Sequence, residues 1–299
     1  MKAYFKFIKK VLLFFVLLAI MDIAFGRVMN FITPRITNGE YGRDNYISNQ
    51  CKDDLLIFGS SRAECHYNSQ MLEDSLGMSC YNCGQSGHMV FLNYARLCMT
   101  MERYHPKKII YDIMPGFDLL ADDDNYKDMS FLKLHYDRNN IPEIVDEIGH
   151  NEQYKMFSSM YRYNSTFLQL LLMSMQSAKP STMKGFKPKV KQNDIWLTPP
   201  PARTEWTYDS LKLAYLDKFI EKAGDSELIF FVSPFWRGLN PDILRPVKEK
   251  CEKHGIRLID YSNNPKYLKK TELFEDYAHL NAKGADVFTQ DVIRELKGE

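Results

Sequence analysis

The chain has 299 residues, with 39 basic against 38 acidic side chains and a formal net charge of +1. Hydrophobic residues make up 45% and aromatic residues 13%, while glycine and proline number only 15 and 13; this excludes a disordered chain, a collagen and a coiled coil. Near-neutral charge argues against nucleic acid as the main partner, because such binders carry a net basic footprint.

The first 30 residues depart from that average. Lys2, Lys6, Lys9 and Lys10 precede an apolar run over 11–25 interrupted only by Asp22. Crossing the hydrocarbon takes about 20 helical residues, and 5–25 reaches that length if Lys9 and Lys10 snorkel to the headgroups. We expect residues 1–26 to be a cytoplasmic tail and transmembrane anchor. The lysines then hold the N-terminus inside, and everything after Gly26 is periplasmic or at the cell surface. The alternatives are a cleaved signal peptide, with Ala24 and Gly26 at the cleavage site, and a buried helix of a soluble protein; Asp22 and Phe25 fit a cleavage region poorly. Asp22 is expected beside the outer headgroups, where its cost is small. With the four lysines set apart, the exported remainder is slightly acidic.

Residues 27–53 are polar and turn-rich and read as a stalk leading into a domain over 54–299. There, strands predicted over 54–58, 79–83, 108–113, 227–232 and 257–260 alternate with helices over 69–76, 90–104, 209–223, 242–254 and 281–296. This rhythm predicts a mostly parallel sheet covered on both faces, by default a doubly wound sandwich. Residues 118–206 interrupt it and read as a helical insertion after the third strand, with helices over 141–150 and 156–177. Its acidic patch (Asp118, Asp122, Asp123, Asp124, Asp128) lacks EF-hand spacing and reads as a solvated turn. Lys179, Lys184, Lys187, Lys189 and Lys191, followed by prolines at 199–201, read as a solvated loop able to meet an anionic polymer. As a connection leaving the carboxyl end of a strand, the insertion borders the ligand crevice, as a packed cap or as a membrane- or partner-docking surface.

The six cysteines (Cys51, Cys65, Cys80, Cys83, Cys98, Cys251) read as buried thiols, with one or two disulfides as the alternative on an exported domain. Cys80 and Cys83 have CxxC spacing, but they fall in a strand and no second CxxC completes a zinc site. No metal or cofactor is expected. Nucleotide binding is disfavoured because no dinucleotide or phosphate-binding glycine loop follows a strand; Gly84-x-x-Gly87 is too short.

Two local signals carry chemistry. Gly59-Ser60-Ser61-Arg62 follows the first strand, where a sharp turn lifts a serine to the sheet's carboxyl edge with backbone N–H groups around it. Far downstream, Asp276-Tyr277-Ala278-His279 places a carboxylate three residues before a histidine, able to fix its tautomer and stabilise the imidazolium formed when it takes a serine proton. Together with the glycine turn Gly84-Gln85-Ser86-Gly87 after the second strand, these motifs resemble the SGNH/GDSL hydrolase superfamily, in matching order over 54–117 and 227–296.

The resemblance implies a flavodoxin-like α/β/α sandwich with Ser61 as nucleophile, His279 as general base and Asp276 as its orienter. The Ser61 and Gly87 amides would donate to the oxyanion. One departure is visible: the family's asparagine after the third strand is missing from Met114-Pro115-Gly116-Phe117-Asp118. Loss of one such donor typically costs about 100- to 1,000-fold in turnover. Gln85, Arg62 and His88 are candidate substitutes. The expected function is that of a membrane-anchored esterase or O-acyltransferase, its partners an acylated small molecule or envelope polysaccharide, and the membrane through the N-terminal helix. The alternative is a weak or inactive relative that binds a glycan or acyl ligand or scaffolds an envelope complex.

Overall fold

A computed structural model describes residues 1–121, 124–176, 183–190 and 204–299. Asp122, Asp123, Lys179, Lys191 and the prolines at 199–201 lie outside the described residues. In chain order the elements are α1 (Lys2–Ile32), α2 (Gly39–Asn49), β1 (Leu55–Gly59), α3 (Ser61–His66), α4 (Ser69–Leu76), β2 (Cys80–Asn82), α5 (Val90–Met101), β3 (Lys108–Asp112) and α6 (Pro115–Asp118). Short helices follow: α7 (Met129–Leu132), α8 (Ile141–Ile148), α9 (Glu152–Lys155), α10 (Ser159–Tyr163) and α11 (Phe167–Ser174). The last group is α12 (Ser210–Ala223), β4 (Glu227–Val232), α13 (Arg245–His254), β5 (Arg257–Asp260) and α14 (Ala282–Lys297). These form two compact units, Met1–Tyr46 with Met129–Pro180, and Ile47–Asp128 with Ser181–Glu299.

The second unit holds the sheet. All four strand pairings are parallel, in the order β2-β1-β3-β4-β5, the flavodoxin-like arrangement. Every residue of β1 is buried, as a strand covered on both faces requires. Polar side chains set the helix ends. Asn68 caps α4, Asp209 accepts from the Leu211 and Lys212 amides to open α12, and Asn281 accepts from the Gly284 amide to open α14. The Asp128 carboxylate accepts from the Met89 and Leu92 amides at the start of α5. Because the chain adds β2 on one side of β1 and then β3, β4 and β5 in turn on the other, the switch point of the sheet falls between β1 and β3, where Gly59 pairs with Asp112.

The first unit is helical. Helix α1 is long and apolar enough to cross a membrane, with a mean hydropathy of 2.3 over its best 18-residue window. Of its residues only Gly26 and Met29 are buried.

Four readings change. Residues 27–53 are helical over most of their length, because α1 runs on to Ile32 and α2 begins at Gly39. The helix expected over 156–177 is two helices, broken where Asn164, Ser165 and Thr166 offer the backbone side-chain alternatives to helical bonding. The acidic patch is no solvated turn at Asp118 and Asp128, both fully buried. Tyr111 Oη and the Met114 amide donate to Asp118, whose carboxyl burial pushes up to about 7. The lysine loop is likewise tied down, Lys184 to Glu73 and Lys187 to Glu64. All six cysteines are buried free thiols.

Candidate active site

The turn out of β1 depends on glycine. Gly59 has φ 138°, and a Cβ there would come within 2.7 Å of the Asp112 carbonyl oxygen and 2.8 Å of the Ala63 Cβ. Its amide donates to Asn93 Oδ1 at 3.2 Å. Gly84, after β2, is needed for closeness alone: a Cβ would lie 2.6 Å from the Ala63 Cβ and the Glu64 nitrogen. The two glycines let α3 start directly at Ser61, above the carboxyl end of the sheet.

Ser61 Oγ lies 2.8 Å from His279 Nε2. On the far side of the ring, Nδ1 is 3.0 and 2.9 Å from the two Asp276 oxygens. Asp276 Oδ1 also accepts from the Ala278 and His279 amides, so the carboxylate and its histidine form one closed turn. Burial works to raise the Asp276 pKa. The His279 hydrogen bond and charge and the two amides outweigh it and hold the carboxyl below its usual range. A carboxylate only accepts, so Nδ1 carries the proton and Nε2 is left to accept from the Ser61 hydroxyl. The His279 and Asp276 side chains are 21% and 28% exposed, so the arrangement is open to a substrate from solvent. Ser60, by contrast, is fully buried, and its Oγ has no partner among the described residues.

A buried polar layer lies beneath. Arg62 donates to the carbonyls of Ala278, Ser233 and Pro234, with its guanidinium over the Phe235 ring. His66 Nε2 accepts from the Leu280 amide at 3.0 Å, which leaves the proton on Nδ1, 3.0 Å from Ser233 Oγ. Ser233 in turn donates its hydroxyl to Asp112 Oδ2 and its amide to Oδ1, and Tyr67 Oη donates to Oδ1 as well. Burial, followed by the charges of Arg62, His279 and Lys189, holds the His66 pKa well below its ordinary value, so this ring is neutral. Helix α3 therefore presents Ser61 and, through Arg62 and His66, grips the backbone on both sides of His279.

The structure brings Ser61, His279 and Asp276 together and corrects one candidate: Arg62 is no spare oxyanion donor, because Nη1 and Nη2 are committed to carbonyls. Gln85 Oε1 accepts from Arg96, and His88 Nδ1 lies 2.9 Å from Asp128 Oδ1. Gly87 is exposed with φ 78°, and neither its amide nor that of Ser61 has a backbone acceptor among the described residues. At the missing asparagine's place, α6 turns the Asp118 carboxylate inward. Sequence reading missed His66, Asp112 and Ser233. Asp112 ends β3 and Ser233 follows β4, so the crevice rule for parallel sheets gave the signal that would have found them.

A family model described as "Zinc knuckle" matches residues 78–91. The matched residues do not fit a zinc site. Cys80 packs into the core with Leu55, Ile57 and Tyr67, and burial drives its thiol well above the ordinary value, away from the thiolate a metal needs. Cys83 is likewise buried, His88 is held by Asp128, and the first thiol after His88 is Cys98, buried on α5 outside the matched residues. Among the described residues no group of three or more His, Cys, Asp or Glu is placed to hold a metal.

No curated protein matches the sequence. Among solved structures, the chain is similar to a gut microbial diltiazem-metabolizing enzyme at 10% identity and TM-score 0.41, covering 81% of this chain and 46% of that one. It is also similar to a Bacteroides fragilis protein assigned as an acylhydrolase, at 10% identity and TM-score 0.40, covering 84% and 93%. An acetyl xylan esterase of the rumen bacterium Butyrivibrio proteoclasticus gives 10% identity and TM-score 0.38, covering 82% and 63%. The chain thus spans about half the length of the first of these. Likenesses this distant carry no functional inference.

Proposed function

We propose that the chain is a membrane-anchored, extracytoplasmic serine esterase or O-acyltransferase of SGNH/GDSL type, acting on an ester of a cell-envelope glycan or related acylated molecule. The observation that carries this reading is the continuous contact from Ser61 Oγ through His279 to Asp276, between groups 218 and three residues apart in the chain. In the first step His279 Nε2 takes the Ser61 proton as Oγ bonds to the ester carbonyl carbon; Asp276 stabilises the imidazolium, and the Ser61 and Gly87 amides donate to the oxyanion. Collapse breaks the bond to the alcohol oxygen, which takes the proton from His279 and leaves an acyl group on Ser61. Water or an acceptor hydroxyl, deprotonated by the same nitrogen, then resolves it, giving hydrolysis or transfer.

The test is covalent labelling with a fluorophosphonate. Wild type and Ser60→Ala are expected to label, Ser61→Ala and His279→Ala to lose labelling. Full labelling of Ser61→Ala would falsify the assignment. The inward-turned Asp118 where an asparagine donor belongs favours a second reading, a weak or inactive relative that binds an acyl or glycan ligand; retained binding without labelling of the wild type would support it.

A further inference from the structure

The helical unit formed by Met1–Tyr46 and Met129–Pro180 ties its inserted helices to a particular level of α1. Asp22 accepts from Ser158 Oγ at 2.7 Å, from the Ser159 amide at 2.9 Å and from the Met160 amide at 2.8 Å, so its carboxylate closes the N-terminus of α10. One turn on, a Cβ at Gly26 would overlap Ser159 Oγ, which shows how closely α10 presses on α1. Phe25 stacks edge-on against Tyr163 and Phe167, with ring centroids 6.2 and 6.0 Å away, and Tyr163 Oη donates to Asn30 Oδ1.

Large apolar side chains dominate the outer face of this attachment, with Gln169 and Ser174 the exposed polar residues of α11. Phe157, next to the Asp22-bonded Ser158, is 86% exposed, and Leu168, Leu172 and Met175 along α11 are 57%, 53% and 78% exposed. Alpha-helix α11 reads Phe-Leu-Gln-Leu-Leu-Leu-Met-Ser, and only Leu170 is buried. Exposed aliphatic and aromatic groups gathered on one segment mark a surface that meets something other than water.

We infer that α11 and the Phe157 turn lie in the outer membrane–water interface, as an in-plane docking surface whose occupant is the lipid bilayer. This rests on the reading of α1 as a membrane span. If residues 5–25 cross the hydrocarbon, a helix rising about 1.5 Å per residue places Asp22 and Phe25 in its last turn, at the outer boundary. Ser158, Ser159 and Met160 are bonded at that level and Phe167 is stacked there. The apolar side chains flanking them face acyl chains and headgroups by continuity with the exposed surface of α1. The docking also accounts for Asp22: a carboxylate at the boundary is matched by two helix-terminal amides and a hydroxyl from the inserted segment.

The test uses the full-length chain, one copy per lipid nanodisc, with single tryptophans introduced as Leu172→Trp, Phe157→Trp and, within α1, Val16→Trp. Emission of the wild type, which has three tryptophans, is subtracted. Quenching is read as the loss of emission when the nanodisc lipid carries brominated acyl chains. The expected result is a blue-shifted emission and a loss for all three, with bromines nearer the headgroup more effective at 157 and 172 and deeper bromines more effective at 16. Quenching of Val16→Trp with unquenched, red-shifted emission at either 157 or 172 overturns the docking and leaves the anchor standing; that pattern also marks a surface kept for a protein partner. Absence of quenching at Val16→Trp overturns the anchor and the docking with it.

Discussion

His66 offers a sharp physical test of the layer under the serine and histidine. It is fully buried, accepts from the Leu280 amide and donates to Ser233 Oγ, and Arg62 leaves no room nearby for a second positive charge. A histidine whose folded pKa is depressed binds its proton preferentially in the unfolded chain. Its contribution is complete above the unfolded value of 6.5 and is lost as pH falls below it towards the folded value. For one such group, linkage gives a loss of up to about 1.4 kcal/mol at pH 5.5 relative to pH 8, and a limiting slope of about 1.4 kcal/mol per pH unit. His66→Gln keeps an acceptor for the Leu280 amide and has nothing to titrate. At pH 8 the variant is expected to be less stable by about 0.5–1.5 kcal/mol, the net worth of the lost bond to Ser233. That deficit should shrink by up to about 1.4 kcal/mol by pH 5.5 and reverse sign if it began smaller than the shift. Urea unfolding of both proteins, followed at several pH values, measures the difference and cancels the titration of all other groups. A deficit that is constant between pH 8 and 5.5, or that grows, refutes a neutral His66.

The remaining predictions concern the same layer. Arg62→Ala takes the donor from three carbonyls, those of Ser233 and Pro234 buried and that of Ala278 part-buried, and should cost about 3–5 kcal/mol of stability in urea unfolding; Arg62→Lys should not restore it, because one ammonium cannot reproduce the planar fork. Gly59→Ala combines positive φ with contacts of 2.7 and 2.8 Å, for an expected loss of about 2–6 kcal/mol by the same assay. Asp276→Asn should slow fluorophosphonate labelling by about 10⁴-fold, the effect of a wrong tautomer. Since the folded Asp276 pKa lies below its ordinary 3.8, its stabilisation is present above that pH and is lost as pH falls through the folded value, so wild type and Asp276→Asn should converge in stability in strong acid.

The sheet was legible because its signals are local: three largely buried apolar runs, β1, β3 and β4, flanked by the shorter β2 and β5 and alternating with helical segments. The serine turn and the Asp-x-x-His turn were legible for the same reason. Elements whose stability comes from elsewhere in the chain were not. A six-residue helix such as α3 is too short to be stable by propensity and exists because Arg62 and His66 bond to partners more than 160 residues away. Asp118 and Asp128 looked solvated because carboxylates usually are; their burial is decided by Tyr111 and by the unfilled amides of α5, neither of which a window around residue 120 contains. The same applies to Asp22, whose partners at 158–160 were assigned to a separate helix.

The distance between Ser61 and His279 is fixed by the helix that carries the serine more than by the residues flanking the histidine in sequence. Residues 278 to 280 pass over α3 held at two points, the Ala278 carbonyl by Arg62 and the Leu280 amide by His66. Both holders lie within one and a half turns of Ser61, on a rigid element, and both are themselves clamped by Ser233 at the end of β4 and through it by Asp112 at the end of β3. Movement of the histidine loop relative to the serine therefore requires breaking buried hydrogen bonds on three adjacent elements at once. An arrangement of this kind is expensive to maintain in a merely structural role, since it buries a guanidinium, an imidazole and a carboxylate that apolar residues of similar volume would replace at little cost. Its consequence is a preset approach of Nε2 to Oγ, the distance on which the proposed proton transfer depends.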